Sequence, residues 1–271
     1  VRDALIVTVM SCLPRNALAS VMGSVARARI SRWLTSLFVR VYRPNLDEAV
    51  VPDGGFPTLE ALFTRRLRPD ARRIASVDGW VSPVDGTVAF AGTTTSGRFE
   101  IAPGRRHTLS RLLDRPVEDE ADVIVLYLSP TDYHRVHAPA DGTVVGAHYA
   151  PGSLWPVFAP AVRSIDELFG RNERVIVTLT AEDRAYDLVL VGAFGVGRIG
   201  LAFHPQLTNA GAPAGPIALD GAPSMRAGDD LGCFHLGSTV VLVAPAGSLD
   251  LRVSVGQPVR LGMPLALWRR P

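Results

Sequence analysis

The apolar and polar positions divide this chain into a front of helical period and a long remainder of strand period. Leu18, Val21, Met22, Val25, Ile30, Trp33, Leu34, Leu37, Phe38 and Val41 recur at roughly three- and four-residue intervals, the spacing that gathers side chains on one helix face. This predicts one or two amphipathic helices within residues 1–44. From about Trp80 the texture changes to short apolar runs broken by glycine and proline. Val123-Ile-Val-Leu-Tyr-Leu128, Val175-Ile-Val-Thr-Leu179, Tyr186-Asp-Leu-Val-Leu-Val191 and Thr239-Val-Val-Leu-Val243 predict strands. Asp166-Glu-Leu-Phe169 predicts one helical turn, and the Gly-, Ala- and Pro-rich stretch 205–223 predicts a loop or lid.

A short repeat sits inside this pattern. Ser82-Pro-Val-Asp-Gly-Thr-Val88 and Ala138-Pro-Ala-Asp-Gly-Thr-Val144 share Pro-x-Asp-Gly-Thr-Val, in which Asp-Gly predicts a hairpin-type turn and Thr-Val a strand start. Val255-Gly-Gln-Pro-Val-Arg-Leu-Gly-Met-Pro-Leu265 has the glycine-punctuated look of a barrel-sandwich domain. The expected class is α+β, mostly β: a barrel-sandwich-like β core with N-terminal amphipathic helices. Residues 1–44 would be membrane-associating helices and residues 45–271 a β-rich catalytic domain.

Charge changes the meaning of the front segment. No acidic residue lies between Asp3 and Asp47, whereas Arg15, Arg27, Arg29, Arg32, Arg40 and Arg43 all do. Basic flanks on an amphipathic helix favour an anionic lipid surface; the competing reading packs these helices on the protein's own core. The apolar run 4–13 stops at Pro14, too short to span a bilayer and without a convincing signal-peptide cleavage site after it. The net charge of +2 gives no global basic field for nucleic acid. Cys12 and Cys233 lie far apart and suggest neither a disulfide framework nor a metal knot, so a reducing compartment is expected.

All 28 basic residues are arginine. With no lysine there is no side-chain amine to hold pyridoxal phosphate, biotin or lipoate. A different electrophile is available in Leu236-Gly237-Ser238-Thr239, placed directly before an apolar strand. The Ser238 hydroxyl can attack the Gly237 carbonyl to give an ester, and elimination with hydrolysis then leaves a pyruvoyl group. That serine needs a base, and the base an orienting group. His134 and His137 lie three apart in Asp132-Tyr-His-Arg-Val-His137 and suit two separate proton-transfer tasks, with Asp85 of the first Pro-x-Asp-Gly turn as a third member. Two other classes compete: a zinc hydrolase using His134, His137 and Asp85 or Asp132, and a non-catalytic barrel-sandwich carrier or scaffold, which the missing lysine disfavours.

These blocks together resemble the bacterial phosphatidylserine decarboxylases, pyruvoyl-dependent proenzymes of phospholipid synthesis. In the family's order they are Leu59-Glu-Ala-Leu-Phe-Thr-Arg65, Ser82-Pro-Val-Asp-Gly-Thr-Val88, His107-Thr-Leu-Ser-Arg-Leu-Leu113, Tyr127-Leu-Ser-Pro-Thr-Asp-Tyr-His-Arg-Val-His137, Pro151-Gly-Ser-Leu154, Arg171-Asn-Glu-Arg-Val175, Val191-Gly-Ala-Phe-Gly-Val-Gly197 and Leu231-Gly-Cys-Phe-His-Leu-Gly-Ser-Thr-Val240. The resemblance implies a self-cleavage triad of Asp85, His137 and Ser238, with His137 as base and Asp85 orienting it. It implies cleavage between Gly237 and Ser238 into a β chain, 1–237, and an α chain, 238–271, that stay associated. It further implies that His134 serves decarboxylation of phosphatidylserine to phosphatidylethanolamine through a Schiff base on the Ser238-derived pyruvoyl group, without metal. A homodimer of the cleaved pair, and a peripheral place on the cytoplasmic face of the membrane, complete the expectation. The chain departs from the family at Arg226-Ala-Gly-Asp-Asp230, where Lys-Gly-x-Glu is common, at Trp155, and through residues 198–223.

Overall fold

The computed structural model describes residues 15–117, 119–181, 183–195, 198–208, 212–235 and 238–270. The apolar run 4–13 with Cys12, and Leu236 and Gly237 before Ser238, lie outside the described residues.

Helices α1 (Arg15–Arg27) and α2 (Arg32–Tyr42) are joined by the tight turn Arg29–Ser31. Their inward face is small or polar: Ala19, Ala26, Ser31 and Thr35 are buried. The large apolar residues point outward, with Val21 61%, Ile30 71%, Trp33 60% and Val41 62% exposed. That inverts the usual arrangement of a surface helix, and a contiguous exposed apolar face of this kind marks an interaction surface. Among the described residues, no helix is long and apolar enough to cross a membrane. Ser31 anchors the pair: its Oγ donates to Ala26 O and accepts from Leu59 N, both at 3.0 Å. Leu59 opens the short helix α3 (Leu59–Phe63), capped by Thr58 Oγ1 accepting from Ala61 N at 3.1 Å.

The β portion uses nine principal strands: β1 Gly86–Thr93, β2 Ala121–Leu128, β3 Arg135–His137, β4 Gly142–Ala150, β5 Arg174–Ala181, β6 Arg184–Gly192, β7 Ile199–Leu201, β8 Asp230–Phe234 and β9 Ser238–Pro245. A nine-stranded antiparallel sheet runs β4-β5-β6-β9-β2-β1 through its middle. It divides the core. Val240 and Leu242 of β9 pack on one face with Leu126, Leu190 and Phe234; Val241 and Val243 pack on the other with Val123, Val189 and Phe169. This period-two alternation with both faces buried explains why these strands read as continuous apolar runs. Strands β3, β8 and β7 belong to a separate four-stranded sheet, and Gly79–Val81 joins Pro264–Trp268 and Leu249–Leu251 in a third. The mostly-β expectation holds. Among the described residues, however, the sheets form open antiparallel layers and none closes into a barrel. The turn expected at 166–169 appears as a helix shifted to Leu168–Arg171.

The repeated Pro-x-Asp-Gly-Thr-Val is a structural duplication, though not of hairpins. In each copy the chain leaves a small sheet before the turn and enters the large sheet at the glycine, Gly86 or Gly142. Neither glycine has the positive φ that a two-residue hairpin turn needs. The copies instead clasp each other across a local two-fold: Val81 N donates to Pro139 O at 2.8 Å and His137 N to Pro83 O at 2.9 Å. Each copy also holds an equivalent partner loop. Gly262 N donates to Ser82 O and Gly228 N to Ala138 O, both at 2.9 Å. Asp85 Oδ1 accepts Leu261 N at 2.8 Å and Asp141 Oδ1 accepts Ala227 N at 2.7 Å.

The duplication rests on close backbone approach. A Cβ at Gly142 would lie 2.1 Å from Thr180 O, so the strands would have to separate. Gly142→Ala is expected to cost roughly 1–3 kcal/mol, lowering Tm by several degrees; an unchanged melting curve would show that the turn tolerates a side chain.

Candidate active site

Ser238 is the first residue of β9, with Leu128 opposite on one side and Gly192 on the other. Its side chain is fully buried, and Oγ has no hydrogen-bond partner among the described residues. A buried unpaired hydroxyl costs free energy that alanine would avoid, which is why the position attracts attention.

His134 lies six residues beyond Leu128, and its carbonyl accepts Phe234 N at 2.9 Å, four residues before Ser238. The ring is completely buried, packed edge-on against Phe63 at 5.0 Å. Nδ1 is 2.8 Å from Asp132 O; a carbonyl only accepts, so Nδ1 carries the proton. Nε2 is left as a bare lone pair, buried and without a partner among the described residues. Burial drives this imidazole down to about 4, against which the Asp132 carbonyl works only partly. His134 is therefore a neutral, desolvated base at physiological pH.

His137 has the same tautomer by the same logic, since Nδ1 is 2.7 Å from Gly228 O. Gly228 adopts φ +88°, and a Cβ there would meet Ile74 Cγ1 at 2.7 Å, so only glycine presents this carbonyl without strain. Here Nε2 accepts from Tyr133 Oη at 3.1 Å. Burial pushes His137 down and the Tyr133 phenol up, so the pair stays neutral. Tyr133 was not singled out from the sequence; its place between Asp132 and His134 was the available signal.

Asp85 and His137 are joined through the backbone of the Pro83 turn, but the predicted side-chain contact is absent. Asp85 is taken by Arg72, with Nη2 to Oδ2 at 2.5 Å and Nε to Oδ1 at 3.2 Å, and by Leu261 N. Arg72 also reaches Glu48 at 2.7 Å. Asp85 thus acts on His137 through its field and through the turn it braces. Among the described residues, no three His, Cys, Asp or Glu side chains converge as a metal site.

Against this geometry, the comparisons are specific. A profile described as Phosphatidylserine decarboxylase matches residues 59–267. The chain belongs to that family. It is 35% identical over 277 residues to a phosphatidylserine decarboxylase proenzyme of Acidovorax ebreus (strain TPSY), covering 97% of this chain and 98% of the relative. It is 36% identical over 280 residues to one from Anaeromyxobacter sp. (strain K), with 97% and 98% covered, and 34% identical over 264 residues to one from Brevibacillus brevis, with 94% of each covered.

Next to this candidate site lies a cluster that the sequence alone did not reveal. His235, three residues before Ser238, holds Glu60 Oε1 of α3 through Nδ1 at 2.8 Å and lies 3.8 Å from Cys233 Sγ through Nε2. Burial alone would lower His235, but Cys233 and Glu60 outweigh it and raise the imidazole to about 9. A raised folded-state value means the stabilisation is complete below pH 6.5 and is lost as pH climbs through 9. Glu60→Gln should therefore cost roughly 1–2 kcal/mol at pH 6 and progressively less by pH 9.5. Urea melts at both pH values check this; a cost independent of pH would mean that the imidazole is not charged.

Proposed function

We propose that the chain converts phosphatidylserine to phosphatidylethanolamine and carbon dioxide, using a pyruvoyl group made from its own Ser238. The observation that carries this reading is the buried Ser238 Oγ, unpartnered among the described residues, at the start of a central strand whose preceding segment is tied to His134 through the bond from Phe234 N to His134 O. In processing, Ser238 Oγ attacks the Gly237 carbonyl carbon, the C–N bond breaks, and the acyl group passes from nitrogen to oxygen. Loss of the Ser238 Cα proton then expels the Gly237 carboxylate, and water releases ammonia to leave the ketone. His137 takes the hydroxyl proton at Nε2 once Tyr133 Oη turns away, its ring aimed by the bond from Nδ1 to the Gly228 carbonyl, which together with Asp230 and Asp85 offsets part of the basicity that burial removes.

Once formed, the pyruvoyl ketone supplies an electron sink for the substrate's departing carboxylate. His134, neutral and dry, holds and returns a proton at Nε2, and Phe63 keeps water off its ring. Cleavage does not release the small fragment. Strand β9 stays registered against β2 over Ser238–Pro245 and against β6 over Ser238–Val243, both in the larger piece.

The same reading places α1 and α2 on an anionic membrane surface, because their large apolar residues face outward amid arginines without acids. Ile30→Glu with Trp33→Glu leaves the buried face intact. It is expected to abolish co-sedimentation with phosphatidylglycerol vesicles while Tm stays unchanged, and retained binding would remove the helices from the membrane.

Denatured intact mass, with a hydrazide probe for ketones, tests the chemistry. The wild-type chain should separate at Gly237/Ser238, with a hydrazide-reactive small fragment. Ser238→Ala and His137→Ala should remain whole, whereas His134→Ala should cleave but turn over at least a hundredfold more slowly. A wild-type chain that stays whole while folded in the presence of lipid would end the pyruvoyl reading.

A further inference from the structure

Between the end of α2 and the His137 turn lies a cavity of about 380 Å³ that contains four arginines, Arg43, Arg65, Arg72 and Arg260. Three carboxylates share it, Glu48, Asp85 and Asp132. Their commitments are unequal. Glu48 and Asp85 are both bound to Arg72, and Glu48 also takes Arg260 at 3.2 Å. The Asp132 carboxylate accepts Ser129 N at 2.7 Å.

That leaves Arg65 and Arg43. Arg65 is only 6% exposed, yet among the described residues no carboxylate lies within ion-pair distance of it. Its bonds go to backbone carbonyls: Nη1 to Leu62 O at 3.2 Å, and Nη2 to Thr131 O and Asp132 O at 3.1 Å each. A guanidinium has five N–H donors, and Nε is buried with no acceptor among the described residues. A cation taken out of water without a bonded counter-ion is costly, and burial pushes this one below its ordinary value. Arg43 adds a second charge at the rim. It is exposed, held at φ 50° as the last residue of the α2 cap, and unpaired among the described residues.

The position is as telling as the charge. Asp132 O accepts from Arg65 Nη2 and from His134 Nδ1, so one oxygen joins the buried cation to the buried base. Tyr133, whose hydroxyl caps His137, and Ser129, next to the Leu128 that faces Ser238, line the same cavity. At the other end, Tyr42 and Arg43 bring the outward-facing helix α2 to its mouth.

We propose that this cavity binds a phosphoryl anion, with Arg65 and Arg43 as its donors, and that the anion is the phosphodiester of a lipid headgroup presented at the end of α2. The inference rests on the decarboxylase reading only for which headgroup is bound. In a serine phospholipid the amine lies four bonds from phosphorus, so a phosphate held at Arg65 leaves the amine and carboxylate within the neighbourhood of His134 and Ser238. Guanidinium groups suit this anion because they offer several charge-assisted hydrogen bonds in a fixed plane.

The test uses the full chain carrying Ser238→Ala, which keeps the cavity and needs no processing. Glycerophosphoserine, inorganic phosphate and L-serine are each titrated by calorimetry at low salt. Glycerophosphoserine should bind at least tenfold more tightly than either of the others. Arg43→Gln or Arg65→Gln on that background should weaken it by about tenfold or more. Because Arg65 also holds three carbonyls, Arg43→Gln decides the matter if the Arg65 variant does not fold. Equal binding of L-serine, or parental affinity in Arg43→Gln, would overturn the site. Inorganic phosphate binding as tightly as glycerophosphoserine would overturn the lipid assignment. A wild-type chain that never cleaves would sink the decarboxylase reading and leave this result standing.

Discussion

Strand β9 is hydrogen-bonded along both edges and buried on both faces, and its first residue is Ser238. The rest of the molecule depends on that coincidence. A strand paired on two sides resists displacement, so the bond before it can break without the sheet coming apart. The same pairing holds the serine where water does not reach its hydroxyl, a position whose unsatisfied Oγ costs roughly 1–3 kcal/mol. Val240 to Val243, packed on both layers of the core, offset that cost.

Around this strand, the duplicated turn supplies a symmetric frame for asymmetric chemistry. The copies match bond for bond where they hold their partner loops, and Asp85 and Asp141 do the same backbone work. They diverge in what was added. Arg72 binds the second oxygen of Asp85. His137 occupies the place that Val81 fills in the other copy, each donating its N–H to the opposite proline carbonyl. The backbone bonds of the frame are complete without the imidazole, whose Nδ1 goes to Gly228 O and whose Nε2 meets Tyr133 Oη.

Much of this was legible along the chain. The apolar runs 123–128, 186–191 and 239–243 became the middle of the large sheet, because doubly buried strands need no polar alternation. The repeat was visible, but its geometry was misjudged, since Asp-Gly carries no record of whether the flanking strands pair with each other. The candidate residues were singled out by their chemistry and by the family resemblance, while their partners were not. Tyr133 on His137, Arg72 on Asp85 and Glu60 on His235 are pairings across 4, 13 and 175 positions, and periodicity is blind to such contacts. The Asp85–His137 contact failed for the same reason: a cation from an unremarked stretch of chain claimed the carboxylate first.

Helix α3 shows how the outward-facing helices and the dry interior meet. It is only five residues long, too short to be stable by itself, so its position is set entirely by what it touches. Phe63 lies 5.3 Å from Phe38 of α2 and 5.0 Å from His134. Glu60 binds His235, and its charge is further favoured by Arg27 at the end of α1. Leu59 N rests on Ser31 between those helices. Apart from its own Thr58 cap and the bond from Arg65 to Leu62 O, α3 is thus held from one side by the outward-facing helices and from the other by His134 and His235. The exposed front of the chain and its buried centre therefore meet at these five residues, and Asn16 of α1 adds a direct bond to Gly152 O at 3.3 Å.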